Sequence, residues 1–316
     1  LLLLLGAFTL LSSSIIFAAK TTPPTVTSPT TGTITTTSTL SNNILGGWAT
    51  TNNDNWATKT GSNITALGVY TGANATAATN LNTNMDAATV TIGGVINTNS
   101  IRFSGASAKT LTLATGDNII QSGGILVRSD VAAFASSITG GNLAGSASGD
   151  LLVHQHNNNA AGALTIGSLI QNNTAATVLT KSGAGNLILT NSSNTYTGGT
   201  FLNAGTLTYT ADGNLGLAGS RNITFGGAAT LVGFSGSSLN TLTVNVGAVG
   251  TLSAHGYTFA TTTGSGTLSY FPNAGLSAMT SLGNASTYTG NIAALMGGNV
   301  NANPVLQFSA INDAVG

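Results

Sequence analysis

Between Leu179 and Thr210 the chain alternates apolar and polar residues in short runs, and Gly and Asn corners break each run. Alternation at period two puts Leu187 and Leu189 on one face of a strand, and Leu207 and Tyr209 on one face of the next. The corners, Asn191 to Asn194 and Asn203 to Gly205, supply residues that accept positive φ at low cost. A helical period is absent; Val131 to Ser137 comes nearest and is too short to form an amphipathic helix. The spacing predicts an all-β chain of the form strand, corner, strand, corner, which is how a coiled or stacked β architecture is written.

The same residues resemble the autotransporter-associated β-strand repeat of bacterial secreted and surface passenger proteins. The likeness runs through Leu179, Lys181, Gly183, Gly185, Leu187 and Leu189, then Asn194, Tyr196, Gly198, Gly199 and Thr200, then Asn203, Gly205, Leu207 and the Asn214-Leu215-Gly216 corner. The region from Gly47-Trp48 to Ile170 looks like the stretch that precedes this repeat in such proteins. The resemblance implies a right-handed parallel β-helix (a β-solenoid) that is exported and rarely enzymatic. A degenerate second copy is expected over residues 264–292, pairing Gly264-Ser-Gly266-Thr-Leu268 with the first glycine corner and Ser286-Thr-Tyr288-Thr-Gly290 with Asn194 to Gly198. It carries an insertion around Phe271 to Leu282 and has Asn291-Ile292 where the first copy has Gly199-Thr200.

Four segments follow from left to right. Residues 1–19 read as a secretory apolar segment truncated at its start, with cleavage near Ala18-Ala19; an uncleaved anchor is the rival reading. Residues 20–43, rich in Thr and Ser with Pro23, Pro24 and Pro29, read as a disordered solvated linker. Residues 44–178 read as the N-terminal part of the solenoid, and residues 179–316 as its repeat-bearing part, with 179–216 as the clear copy and the C-terminus truncated. A strand spacing of roughly ten residues gives coils of about 20–25 residues, hence about 11–13 coils in a rod of roughly 50–60 Å. The Trp48/Trp56 segment is expected to cap the N-terminal end, because an open solenoid end invites edge pairing.

Charge decides what such a rod can bind. Charged residues make up 4% of the chain, the net charge is zero, and all seven acids are Asp. The outer surface must therefore be Thr, Ser, Asn and Gly, whose side chains pair in ladders between strands. Seven scattered Lys and Arg form no patch, so nucleic acid is excluded as a partner. Cysteine is absent, which removes disulfides, thiol catalysis and zinc–thiolate sites together.

Candidate sites are few. His154 and His156 share a parity on one strand, about 6–7 Å apart, with Asp150 on the same parity as a possible third metal ligand. The competing reading makes both imidazoles part of a polar face ahead of the Asn157-Asn158-Asn159 corner, and it is preferred. Glycoside hydrolysis needs two opposed carboxylates. Here Asp54, Asp86, Asp117, Asp130, Asp150, Asp212 and Asp313 are scattered at turns, and His255-Gly256 lacks an accompanying Asp cluster. Asp212-Gly213-Asn214 offers oxygens for calcium but reads as a turn, and the sequons at Asn63, Asn74, Asn172, Asn191, Asn222 and Asn284 are silent in a bacterial protein.

The expectation is thus a non-enzymatic, adhesin-like structural passenger, secreted or held at the outer-membrane surface, with no cofactor. Surface glycans or other cell-surface proteins are its expected partners, and a membrane is met only through a C-terminal anchor or translocator. The alternatives are a polysaccharide-acting β-helix enzyme, which needs acids converging in a groove, and a glycan-binding module, which needs an exposed line among Tyr70, Tyr196, Tyr209, Tyr257, Tyr270 and Tyr288.

Overall fold

The computed structural model describes residues 34–74, 79–234, 236–253, 256–271 and 279–294, with the short strands Ile15–Phe17, Val26–Thr27 and Val305–Gln307. The described strands form two sheets, one antiparallel with six strands and one parallel with 21. Among the described residues no α-helix occurs; two 3-10 turns, Ser129–Val131 and Asp212–Leu215, sit at corners.

Parallel pairing of non-adjacent strands winds the larger sheet into a solenoid. One column of partners runs Asn82, Ser100, Gly124, Leu152, Thr180, Phe201, Thr224, Thr243, Thr263 and Thr287. Consecutive members are 18, 24, 28, 28, 21, 23, 19, 20 and 24 residues apart. Nine such steps at about 4.8 Å give a rise of roughly 43 Å. The steps average about 23 residues, as expected, yet the rod is shorter than the 11–13 coils expected because the chain around residues 34–66 builds the other sheet.

Parity produces the core. On one face Ile101, Ile125, Val153, Lys181, Leu202, Phe225 and Val244 stack inward in register. On the second, Leu164, Leu187, Leu207, Leu231, Leu252 and Tyr270 do the same. The third face contributes the stacked pairs Leu143–Ile170 and Leu239–Phe259. All of these side chains are buried in one continuous cluster, Lys181 excepted in character but not in burial. Each fully buried aliphatic side chain contributes about 1.5–3 kcal/mol, so the ladders carry most of the stability.

The corners of the repeat explain its signature residues. A Cβ on Gly185 would lie 2.1 Å from the carbonyl oxygen of Asn157 on the previous rung, so only glycine fits. Asn194 is buried at an inner corner and ties three rungs: its Oδ1 accepts from the Ile170 N–H at 2.8 Å, and its Nδ2 donates to the Asn214 carbonyl at 2.7 Å. Tyr196 is buried, with its hydroxyl 2.8 Å from Thr200 Oγ1. The second copy is only partly equivalent. Register places Leu187 in line with Tyr270, two residues from the alignment with Leu268 that the repeat suggested. A two-residue slip keeps side chains on the same face, so the core survives it. Tyr288 pairs with Gly264 on the first face, whereas Tyr196 precedes that face.

The smaller sheet orders Ile15–Phe17, Ala49–Thr51, Asn55–Thr60, Asn63–Ala66, Thr35–Thr36 and Val26–Thr27, all antiparallel. Within the stretch read as a linker, residues 34–43 take part in this sheet and its contacts: Ile64 N–H donates to the Ile34 carbonyl, and Asn42 Nδ2 donates to Asn99 Oδ1 on the solenoid. The Ala18-Ala19 position lies outside the described residues. The Trp48/Trp56 segment does not close the solenoid end. It lies along the side, where Trp56 packs with Ile44, Leu67 and the outward-facing Leu126. A sheet with one apolar side must bury it, and the first face of the early rungs presents the matching apolar positions.

Candidate functional site

Strand Asp150–Gln155 runs in the first face, with Val153 pointing into the core, so His154 and His156 point outward as their parity requires. They are nevertheless buried, His154 beneath the segment that carries Gly47 and Trp56 and His156 stacked beside it. His154 Nε2 lies 2.9 Å from the Gly47 carbonyl, and its ring meets Trp56 edge-on at 5.7 Å. The two imidazoles stack with centroids 6.0 Å apart, while His154 Nδ1 and His156 Nε2 are buried without a partner. Burial, reinforced by the positive charge of Lys181, pushes His154 down to about 4. Burial and the neighbouring His154 push His156 down to about 3. Both rings are therefore neutral at pH 7. Asp150 does not join them; its carboxylate accepts from Ser148 Oγ within its own corner. Among the described residues no group of three His, Cys, Asp or Glu converges as metal ligands.

Beside the histidines the structure gathers charges that the sequence scatters. Arg128 Nε lies 3.5 Å from Asp54 on the antiparallel sheet, and Arg128 Nη1 lies 3.3 Å from Asp130. Arg102 stands over the Tyr70 ring at 3.5 Å, donates through Nε to Asn84 Oδ1 at 2.9 Å and bonds Asn55 Oδ1. Two acids thus do converge on an arginine, a contact that turn-by-turn reading missed. Their partners are the arginine that pins the sheet to the rod, which is an arrangement for docking. Arg221 is spent similarly, donating to the Gly216 carbonyl. Lys59 and Lys109 also end on corner carbonyls, of Ser38 and of Gly105 and Ser107.

Lys181 is the residue whose surroundings sequence reading did not foresee. It occupies an inward position between Val153 and Leu202 and is fully buried. Its Nζ donates to the carbonyls of Ser182 at 2.9 Å, Gly183 at 2.6 Å and Ala204 at 3.0 Å. Burial lowers it to about 7. Three carbonyls around one nitrogen match the three donors of an ammonium. The parity it shares with Leu179 was the available signal.

The outer face is a hydroxyl and amide lattice. Asn186, Thr206, Thr230, Thr251 and Ser269 stack in one column. Thr110 Oγ1 bonds Ser137 at 3.1 Å and Thr243 bonds Thr263 at 3.0 Å between rungs. The tyrosines do not form an exposed line: Tyr196, Tyr209, Tyr257 and Tyr270 are buried in the core. Asp212 accepts from Ser237 Oγ at 2.8 Å and from the Ser238 N–H at 3.0 Å, bonding the next rung as a turn residue does. His255 lies outside the described residues.

These observations define a class: a parallel β-solenoid with a repeated glycine–asparagine corner, sheathed on one side by an antiparallel sheet. Residues 179–208 match the passenger-associated-transport-repeat, and this segment is similar to the repeats of autotransporter passengers. It is similar to the adhesin BmaC autotransporter of Brucella suis biovar 1 (strain 1330), with 35% identity over 185 residues. That similarity covers 55% of this chain and 5% of the Brucella protein, so the chain spans a small part of that relative. No solved structure matches the chain.

Proposed function

We propose that the chain is a non-enzymatic segment of a secreted or surface-displayed passenger, presenting a neutral rod that adheres to surface glycans or to proteins of other cells. The observation that carries this reading is the outer lattice of Thr, Ser and Asn on a passenger-type solenoid. The described Lys and Arg residues are held by carbonyls, amides or Asp partners, so the face offers hydrogen bonds and little free charge. Many weak polar contacts along a repeating surface add by avidity. Similarity to a protein named as an adhesin supports the same reading.

Beads coated with the purified chain test it, scored for attachment to immobilised glycans and to cultured cells against albumin-coated beads. Attachment well above albumin is the expected result. Failure to attach to any of these surfaces counts against adhesion. Release of sugar fragments from a polysaccharide, lost in the Asp54→Asn and Asp130→Asn variants, would establish the enzyme reading instead.

A further inference from the structure

The interface between the antiparallel sheet and the rod contains two stacked neutral imidazoles, and the acids at its edge, Asp54 and Asp130, are engaged by Arg128. We propose that this sheet is an acid-released clamp: protonation of His154 and His156 undocks the segment around residues 44–66 from the solenoid while the rungs themselves stay wound.

Geometry carries the idea. Val153 points into the core, so His154 and His156 face outward; the docked segment covers His154, and His156 is buried in a stack against it. His154 bonds the Gly47 carbonyl and abuts Trp56, both on the docked segment. His154 Nδ1 and His156 Nε2 are buried and unpartnered, so a proton added to either would sit without an acceptor. The other charged or titratable groups around them give no relief. Lys181 on the following rung repels both rings. Arg128 lies one residue past the Val127–Gln155 pair and is engaged by Asp54 and Asp130. In the connection between the two sheets, Tyr70 stacks on Arg102 and accepts from the Trp56 N–H.

The sign follows from linkage. Docked, the rings sit at about 4 and about 3, whereas an exposed imidazole titrates near 6.5. The undocked state binds more protons between these values, so docking is full above about pH 6.5 and weakens as pH falls. At pH 5 the loss is about thirtyfold per ring, roughly a thousandfold for the pair.

Hydrogen exchange on the intact chain at pH 7 and pH 5, corrected for intrinsic rates, reads the clamp directly. Amides of 44–66 are expected to lose at least a hundredfold in protection at pH 5, while those of 186–253 keep theirs. The variant His154→Gln with His156→Gln, which retains a donor for Gly47, is expected to abolish the pH dependence. Unchanged protection of 44–66 at pH 5, or an equal acid response in the double variant, overturns the proposal. If the double variant does not fold, the imidazole ring protons of the natural chain decide by NMR. Titration of the rings near 6.5 with 44–66 still protected also overturns it.

Discussion

Lys181 stands in register with Leu202 in an inward ladder that is otherwise apolar, and its Nζ lies 2.6 Å from the carbonyl of Gly183. The ammonium fastens a corner from inside, joining the Gly183 turn to Ala204 one rung on. Lys181→Met keeps the aliphatic stem and leaves three carbonyls without their donor. The expected loss is about 1–3 kcal/mol in urea unfolding. An unchanged midpoint would mean that the amine contributes only bulk.

Neighbouring residues on one strand should respond oppositely. Leu207 is buried in the second ladder, while Thr208 faces out beside Asn186, whose Oδ1 accepts from its hydroxyl at 3.1 Å. Leu207→Ala is expected to cost about 2–5 kcal/mol through the cavity it leaves. Thr208→Ala should stay within about 0.5 kcal/mol, as surface changes do. Comparable losses for the two in thermal melts would contradict the inward–outward assignment.

Asn194 works through two bonds at once. Asn194→Ala strands the Ile170 N–H and the Asn214 carbonyl at a buried corner. A loss of about 2–4 kcal/mol is expected from two unsatisfied groups. Exchange of the Ile170 amide should rise well ahead of amides in Ile223–Val232, and uniform loosening would point to some other cause.

Adhesion by this rod should be nearly indifferent to salt. Exposed ion pairs are screened with a Debye length of about 10 Å at 0.1 M and about 3 Å at 1 M, whereas hydroxyl and amide contacts are not. Bead attachment measured from low to high sodium chloride is expected to change less than about twofold. A steep fall would require a cationic patch that the described surface does not show.

The strands, their parity and the repeat corners were legible because each rests on local chemistry. Alternation placed Leu187, Leu207 and Tyr209 inward, and the glycine corner at Gly185 followed from the turn residues. Where distance in the chain mattered, the reading failed. Trp56 meets Leu126 and His154 across more than a coil of sequence, so nothing local said that its sheet would lie along the flank. The convergence of Asp54 and Asp130 on Arg128 depends on that same docking. Coil number was overestimated because the stretch around residues 34–66 pairs in the antiparallel sheet instead of winding into the rod. Tyr288 matched Tyr196 in spelling, yet the Phe271 to Leu282 insertion moved it to another face.

Hydrogen bonds between rungs run along the long axis of the solenoid, one coil holding only the coils before and after it. Tension applied end to end would therefore peel the structure a coil at a time, each yielding about 75 Å of slack from some 23 residues of extended chain. A rod built this way dissipates a sudden tug in small instalments, so one held at both ends would lengthen in steps before it came apart.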